Sequence, residues 1–247
     1  MKIVTIVGAR PQFVKAAAFS RHVRQFKDIQ EIIIHTGQHF DANMSDIFFT
    51  EMDIPKPKYT LDINNLSHGA MTGRMLEDIE KVLLIEKPDV VLVYGDTNST
   101  LAGALAAKKI HLKVAHIESG LRSYNMQMPE EINRILTDKI SDYLFCPTEN
   151  AIENLTQEGM INGQKNIVIQ HTGDIMYDAF LYYQQEAEAS DILTKNDLIK
   201  NQYALVTVHR QENTDDINAL QSIIEALEQI NETLPIILPL HPRTQNI

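Results

Sequence analysis

A short apolar run, a polar turn and a helical stretch, repeated along the chain, constrain this sequence more than any other feature. The runs Lys2–Val7, Glu31–His35, Asp89–Tyr94, Lys113–Ile117, Tyr143–Cys146, Ile167–Gln170, Tyr203–Val208 and Ile236–Leu240 read as strands. Most are continuously apolar rather than alternating, the pattern of parallel strands covered on both faces. Helical segments lie between them at Pro11–Gln25, Met71–Leu84, Ser99–Ala107, Glu130–Ile140 and Ile217–Ile230. In the last of these, Ile217, Leu220, Ile224, Leu227 and Ile230 recur at helical spacing, with Glu225 and Glu228 turned outward. Alternation of this kind predicts an α/β fold of doubly wound parallel sheets with right-handed crossovers.

Six strands are spent by Gln170, enough for one Rossmann-like lobe. A second lobe then begins, with a helix near Ile175–Ala189, a charged connector around Asp191–Gln202 and a strand at Tyr203. The expected division is 1–172 for the first lobe and 173–247 for the start of the second. Only two strands follow the boundary. Two parallel strands cannot cover their own apolar faces, so the second lobe reads as incomplete.

Composition narrows the function by exclusion. A formal net charge of -11 argues against a nucleic-acid surface, which needs a basic patch to neutralise phosphates. A nucleotide ligand stays open, because a few local cations can hold a diphosphate on an acidic protein. Cys146 is the single cysteine, so no intrachain disulfide forms and the cytoplasm is the expected compartment. The amino terminus does not read as a signal peptide, and no apolar stretch reaches the ~18 residues of a membrane span.

In open parallel sheets, ligands gather beyond the carboxyl ends of the strands. Here those ends run into Gly8-Ala9-Arg10-Pro11-Gln12, Thr36-Gly37-Gln38-His39, Gly95-Asp96-Thr97-Asn98-Ser99-Thr100 and Glu118-Ser119-Gly120-Leu121-Arg122. Further along come His209-Arg210-Gln211-Glu212-Asn213 and His241-Pro242-Arg243-Thr244. Ionisable and small polar residues at every junction point to an active-site rim. At the first junction, helix-start N–H groups and the Arg10 guanidinium suit an anion, with Lys15 one turn further on. Asp96 is either a base or a helix cap. Glu118 follows a strand, and Glu130 opens a helix across the loop 120–129. The pair can supply an acid and a base, although Glu130 and Glu131 equally suit a helix first turn. No dinucleotide fingerprint, P-loop or H-E-x-x-H occurs, and the histidines lack metal-ligand spacing. A metal is not implied.

Read in order, Gly-Ala-Arg-Pro-Gln, Thr-Gly-Gln-His, Gly-Asp-Thr-Asn-Ser-Thr, His-Ile-Glu-Ser-Gly-Leu-Arg, Pro-Glu-Glu-Ile-Asn-Arg and Thr-Val-His-Arg-Gln-Glu-Asn resemble the motifs of the non-hydrolysing UDP-N-acetylglucosamine 2-epimerases. The resemblance runs from Met1 to about Thr244. It implies two lobes like those of a GT-B glycosyltransferase and a UDP-amino-sugar substrate, with no redox cofactor or catalytic metal. It implies that the C2 proton is removed and UDP expelled to give a 2-acetamidoglucal, and that UDP then re-adds with a proton on the opposite face. Asp96, Glu118 and Glu130 match the carboxylates near C2, and Arg10, Lys15 and His209 match residues near the diphosphate and sugar. Gln38, His39, Arg122, Arg134, Arg210, Glu212, Asn213, His241 and Arg243 are the further substrate-binding positions. Family members are commonly dimers. The family's second lobe continues beyond Ile247, which implies weak turnover by this chain alone. A UDP-2,3-diacetamido-glucuronate is the alternative substrate. A GT-B transferase and a non-catalytic nucleotide-sugar module are the alternatives in other classes.

Overall fold

The computed structural model describes residues 1–38, 46–208 and 211–240, and it divides into two compact units, Met1–Tyr183 and Gln184–Ile247. The first unit is built on β1 (Lys2–Val7), β2 (Gln30–His35), β3 (Tyr59–Thr60), β4 (Val90–Tyr94), β5 (Lys113–Ile117), β6 (Tyr143–Cys146) and β7 (Val168–His171). They form one seven-stranded sheet in the order β3-β2-β1-β4-β5-β6-β7, every neighbouring pair parallel. The chain steps outward from β1 through β2 and β3, then returns to place β4 on the other side of β1. That reversal opens the crevice where such sheets take ligands.

The continuously apolar runs have a direct structural cause. Val4, Ile6, Ile32, Ile34, Val91 and Val93 face one way, against Met75, Ile79 and Leu83 of α3 (His68–Glu86) and Ala102 and Ala106 of α4 (Asn98–Lys109). Their neighbours Ile3, Val7, Ile33, Leu92 and Tyr94 face the other way, against Phe13, Ala16 and Ala17 of α1 (Arg10–Val23). Successive strand residues point to opposite faces, so burial on both faces demands apolar residues at every position. The two-residue edge strand β3 and the short α2 (Asp46–Glu51) escaped the sequence pattern, being too short to show a period. Helix α5 (Pro129–Ile140) precedes β6, and α6 (Glu149–Gln157) follows it.

The first unit extends past residue 172 because the start of α7 (Ile175–Glu188) packs on it. Arg21 Nη2 donates to the Tyr183 hydroxyl at 2.7 Å, and that hydroxyl donates to the Met52 carbonyl at 3.0 Å. The second unit holds α8 (Ile192–Lys195), β8 (Ala204–Leu205), α9 (Gln211–Thr214), α10 (Ile217–Asn231) and β9 (Ile236–Ile237). β8 and β9 pair in parallel through Ala204–Ile236 and Leu205–Ile237. α10 starts where the Asp216 carboxylate accepts from the N–H groups of Asn218 and Ala219. No α10 residue is fully buried, and Ile217 is 70% exposed. Among the described residues, no helix is long and apolar enough to cross a membrane.

Candidate active site

The junctions after β1, β4 and β5 meet at the carboxyl edge of the first unit's sheet. Gly8 permits the closest approach. A Cβ there would lie 2.1 Å from Thr36 Oγ1 and 2.2 Å from Ser99 Oγ, and those hydroxyls hydrogen-bond each other at 2.8 Å. Gln38 joins them, its Oε1 accepting from Ser99 Oγ at 2.8 Å. Gln12 is the tie between β1 and β4. Its Oε1 accepts from the N–H groups of Gly8 (2.8 Å) and Ala9 (3.1 Å), and its Nε2 donates to the Tyr94 carbonyl (3.0 Å) and Thr100 Oγ1 (2.9 Å). This corrects one expectation. The N–H groups of Gly8 and Ala9 are spent on Gln12, and those of Gln12 and Phe13 on the Ala9 carbonyl, so these four are not turned to an anion. Cationic character at this corner comes from side chains. Arg10 is exposed with its Cζ 6.0 Å from the Phe48 ring centroid, and Lys15 is buried.

Lys15 Nζ forms an ion pair with Glu118. Glu118 sits at φ +70, a left-handed conformation that is costly for a residue with a side chain. A Cβ on Gly95 would lie 3.1 Å from Glu118 Oε2 and 3.2 Å from Lys15 Nζ, so the pair rests directly on the β4 turn. Asp96 comes next in that turn. It is not the cap of α4: Thr97 fills that role, accepting from the Thr100 N–H. The Asp96 carboxylate instead pairs with Arg134 Nη2, and its carbonyl accepts from Asn133 Nδ2 at 2.9 Å.

Helix α5 supplies the third wall. Glu130, Arg134 and Asp138 recur at four-residue intervals and so share one face. Glu130 is exposed in the first turn, with no partner among the described residues. Its neighbour Glu131 does structural work: buried, it pairs with Arg134 and accepts from the N–H groups of Ser123 (3.0 Å) and Tyr124 (2.9 Å). Burial would push its carboxyl up, but those donors and Arg134 hold it below the usual carboxylate range. Glu131 thereby pins the loop that returns from Glu118 to α5.

Arg122, expected to touch substrate, has another task. Its side chain is 1% exposed and donates to Glu158 Oε1 (2.6 Å), Glu158 Oε2 (2.9 Å), the Leu121 carbonyl (2.6 Å) and Asp138 Oδ2 (2.7 Å). With one N–H left from the guanidinium's five, it braces the β5 junction from within. Asp138 also accepts from the Gly120 N–H at 3.1 Å and meets His116 Nδ1 at 2.7 Å, while His116 Nε2 donates to the Gly95 carbonyl at 2.7 Å. Burial alone would raise Asp138, but His116 and Arg122 hold it below the usual range.

The structure therefore brings Lys15, Gln38, Asp96, Glu118 and Arg134 to one rim, with Arg10 and Glu130 at the starts of the flanking helices. Glu212 lies within the backbone of α9, and Asn213 is half-buried in the same helix. His39, His209, Arg210, His241 and Arg243 lie outside the described residues. The sequence reading missed Gln12, His116, Glu131, Asn133 and Asp138. Asp138 alone left a visible trace, the four-residue ladder with Glu130 and Arg134. Cys146 is buried, and burial pushes its thiol up, which fits an inert side chain. Among the described residues no cluster of histidine, cysteine and carboxylate side chains is arranged for a metal ion.

A parallel sheet of this strand order, with paired acids and bases at its switch point, defines an α/β enzyme of the nucleotide-binding type. Comparison with known proteins narrows that class. Residues 21–247 match the sequence profile described as UDP-N-acetylglucosamine 2-epimerase, and the chain belongs to this family of isomerases. It is 57% identical to the UDP-2,3-diacetamido-2,3-dideoxy-D-glucuronate 2-epimerase of Pseudomonas aeruginosa, over 100% of this chain and 68% of that protein. A UDP-N-acetylglucosamine 2-epimerase homolog of Methanococcus maripaludis is 54% identical over 99% of this chain and 67% of its own length. The crystal structure of the Methanocaldococcus jannaschii UDP-GlcNAc 2-epimerase, in complex with UDP-GlcNAc and UDP, superimposes with a TM-score of 0.90. The two are 47% identical, over 100% of this chain and 67% of that one.

Proposed function

We propose that this chain contributes the sugar-side chemistry of a UDP-2-acetamido-sugar 2-epimerase, with UDP-N-acetylglucosamine as the lead substrate and UDP-N-acetylmannosamine as its product. The observation that carries this reading is the gathering of carboxylates and cations at one sheet edge. Glu118 is paired with Lys15, Asp96 with Arg134, and Glu130 stands in the first turn of α5 on the face that carries Arg134. The reaction breaks the C2–H bond and the bond from C1 to the diphosphate oxygen, then forms both again with the proton delivered to the other face. It needs proton-transferring groups about C2 and positive charge for the departing diphosphate. Asp96, Glu118 and Glu130 take the first role, and Lys15 and Arg10 the second. A proton taken up by Glu118 removes the anion from Lys15, leaving that ammonium to meet the charge on the diphosphate. Proton removal and leaving-group stabilisation are then coupled in a single contact. Arg122 acts as a positioning residue.

Solvent deuterium at C2 of UDP-N-acetylglucosamine, read by mass spectrometry, tests the reading, because a sugar transferase has no reason to lift that proton. Asp96→Asn, Glu118→Gln and Glu130→Gln should each slow exchange about 10²–10⁴-fold while leaving UDP-sugar affinity within about threefold. Absence of exchange in the unmodified protein would overturn the reading, and equal losses in rate and affinity would assign these residues to binding. The 57% identity to a 2,3-diacetamido-glucuronate epimerase favours that sugar as a second substrate, to be assayed beside the first.

A further inference from the structure

A hydrogen-bond chain behind Asp96 runs in one direction only. The Asp96 carbonyl can only accept, so Asn133 turns Nδ2 towards it, 2.9 Å away. The other hydrogen of that nitrogen goes to Asn98 Oδ1 at 3.2 Å. Asn98 is thereby oriented as well. Its Nδ2 faces His68 Nδ1 at 3.2 Å and Met71 Sδ at 3.6 Å. Because Asn98 Nδ2 is a donor, His68 Nδ1 is an acceptor, and the ring proton resides on Nε2. His68 is the first residue of α3 and is exposed, and Nε2 has no acceptor among the described residues. The relay, anchored on the backbone of a proposed catalytic residue, thus ends in an exposed imidazole whose Nδ1 is held by Asn98 and whose Nε2–H is free to face a ligand.

We propose that His68 Nε2–H donates to the acyl oxygen of the sugar's 2-acetamido group and so selects N-acylated sugars over 2-hydroxy sugars. The inference rests on the proposed function, in which Asp96 works at C2. The C2 substituent is then the part of the sugar nearest a side chain tethered to Asp96 through two asparagines. The outward N–H suits a carbonyl oxygen, which can only accept. The sequence alone offered only a histidine without metal-ligand spacing.

Binding of UDP-N-acetylglucosamine and of UDP-glucose, which carries a hydroxyl at C2, should be measured calorimetrically for the unmodified chain, His68→Ala and His68→Gln. Loss of one neutral hydrogen bond should weaken the acetamido sugar about tenfold in His68→Ala and leave UDP-glucose within about twofold. Glutamine can accept from Asn98 and donate outward, so His68→Gln should recover most of the preference. A merely structural role would weaken both sugars alike. Equal losses, no loss, or no acetamido preference in the unmodified chain each overturn the proposal. Should His68→Ala fail to fold, His68→Leu, which fills the space without a donor, makes the same comparison against His68→Gln. Failure of the epimerase reading is seen separately, as absence of deuterium at C2 in the unmodified protein.

Discussion

Asp138→Asn removes one negative charge at constant volume from the place where the site is most tightly bound together. Asp138 is fully buried and meets His116 on one oxygen and Arg122 and Gly120 on the other. Both His116 ring nitrogens face oxygens, Asp138 Oδ1 and the Gly95 carbonyl, each at 2.7 Å. An asparagine that keeps its carbonyl towards His116 must point its amide hydrogens at Arg122 Nη1 and the Gly120 N–H. Arg122 Nη1 and the Gly120 N–H then lose their buried carboxylate acceptor. Breaking one side of a buried pair costs about 3–5 kcal/mol. For a unit of this size each kcal/mol moves Tm by about 2–4 °C, so a fall of roughly 10 °C is expected. Circular-dichroism melts at neutral pH measure it. His116→Gln should cost a similar amount, and the double substitution clearly less than the sum, with a coupling above about 1 kcal/mol. A drop of under about 3 °C for Asp138→Asn, or strict additivity with His116→Gln, would refute the coupling of Asp138 to His116 and Arg122.

Two further outcomes concern stability. Gly8→Ala should cost about 2–3 kcal/mol, because its methyl meets the buried Thr36 and Ser99 hydroxyls at 2.1 and 2.2 Å. Gly73→Ala in α3 meets no atom within 4 Å and should gain about 0.5–1 kcal/mol, the two being compared by urea denaturation. Acid should unfold the first unit. Asp138, Glu131 and Glu158 are held below their usual range, and Glu86 is held down to about 2 by hydrogen bonds from Lys58 and Tyr59. Depressed carboxylates contribute stability above their unfolded values, about 4, and lose it as pH falls through the folded ones. Glu31, raised by burial, acts in the opposite sense, its protonation favouring the fold. The urea midpoint should stay level from about pH 7 to 5 and fall steadily towards pH 2.5, and a midpoint that holds through the acid range would contradict these pairings.

The fold was legible because burial on both faces of the sheet leaves a mark at every strand residue: β1, β5 and β6 begin and end where the apolar runs do. The residues of the strand-to-helix junctions were legible as well, since those junctions are read directly from that pattern. Their partners were not. Glu131 and Glu130 are adjacent and chemically identical, yet one is buried under a loop and the other exposed, a difference set by the turn of α5 relative to Ser123 and Tyr124. Arg122 looked like a substrate cation because nothing in its neighbourhood announces Glu158, thirty-six residues away. Gln12 was quoted as part of a turn, but its contacts with Tyr94 and Thr100 span more than eighty residues. Long-range polar pairing has no period, so sequence pattern cannot carry it.

Those partners explain how loops can hold groups that must act within a fraction of an ångström. At each junction a side chain from a neighbouring element fixes the backbone itself. Gln12 holds the N–H groups of Gly8 and Ala9, His116 the Gly95 carbonyl, Asn133 the Asp96 carbonyl, and Asp138 the Gly120 N–H. Three of these four come from β5 and α5, so that strand–helix pair sets the positions of the β4 and β5 turns together. Preorganised groups lower a barrier because no reorganisation is needed at the moment of reaction. On the proposed function, the chemistry of this edge depends as much on the buried polar residues behind its turns as on its exposed acids.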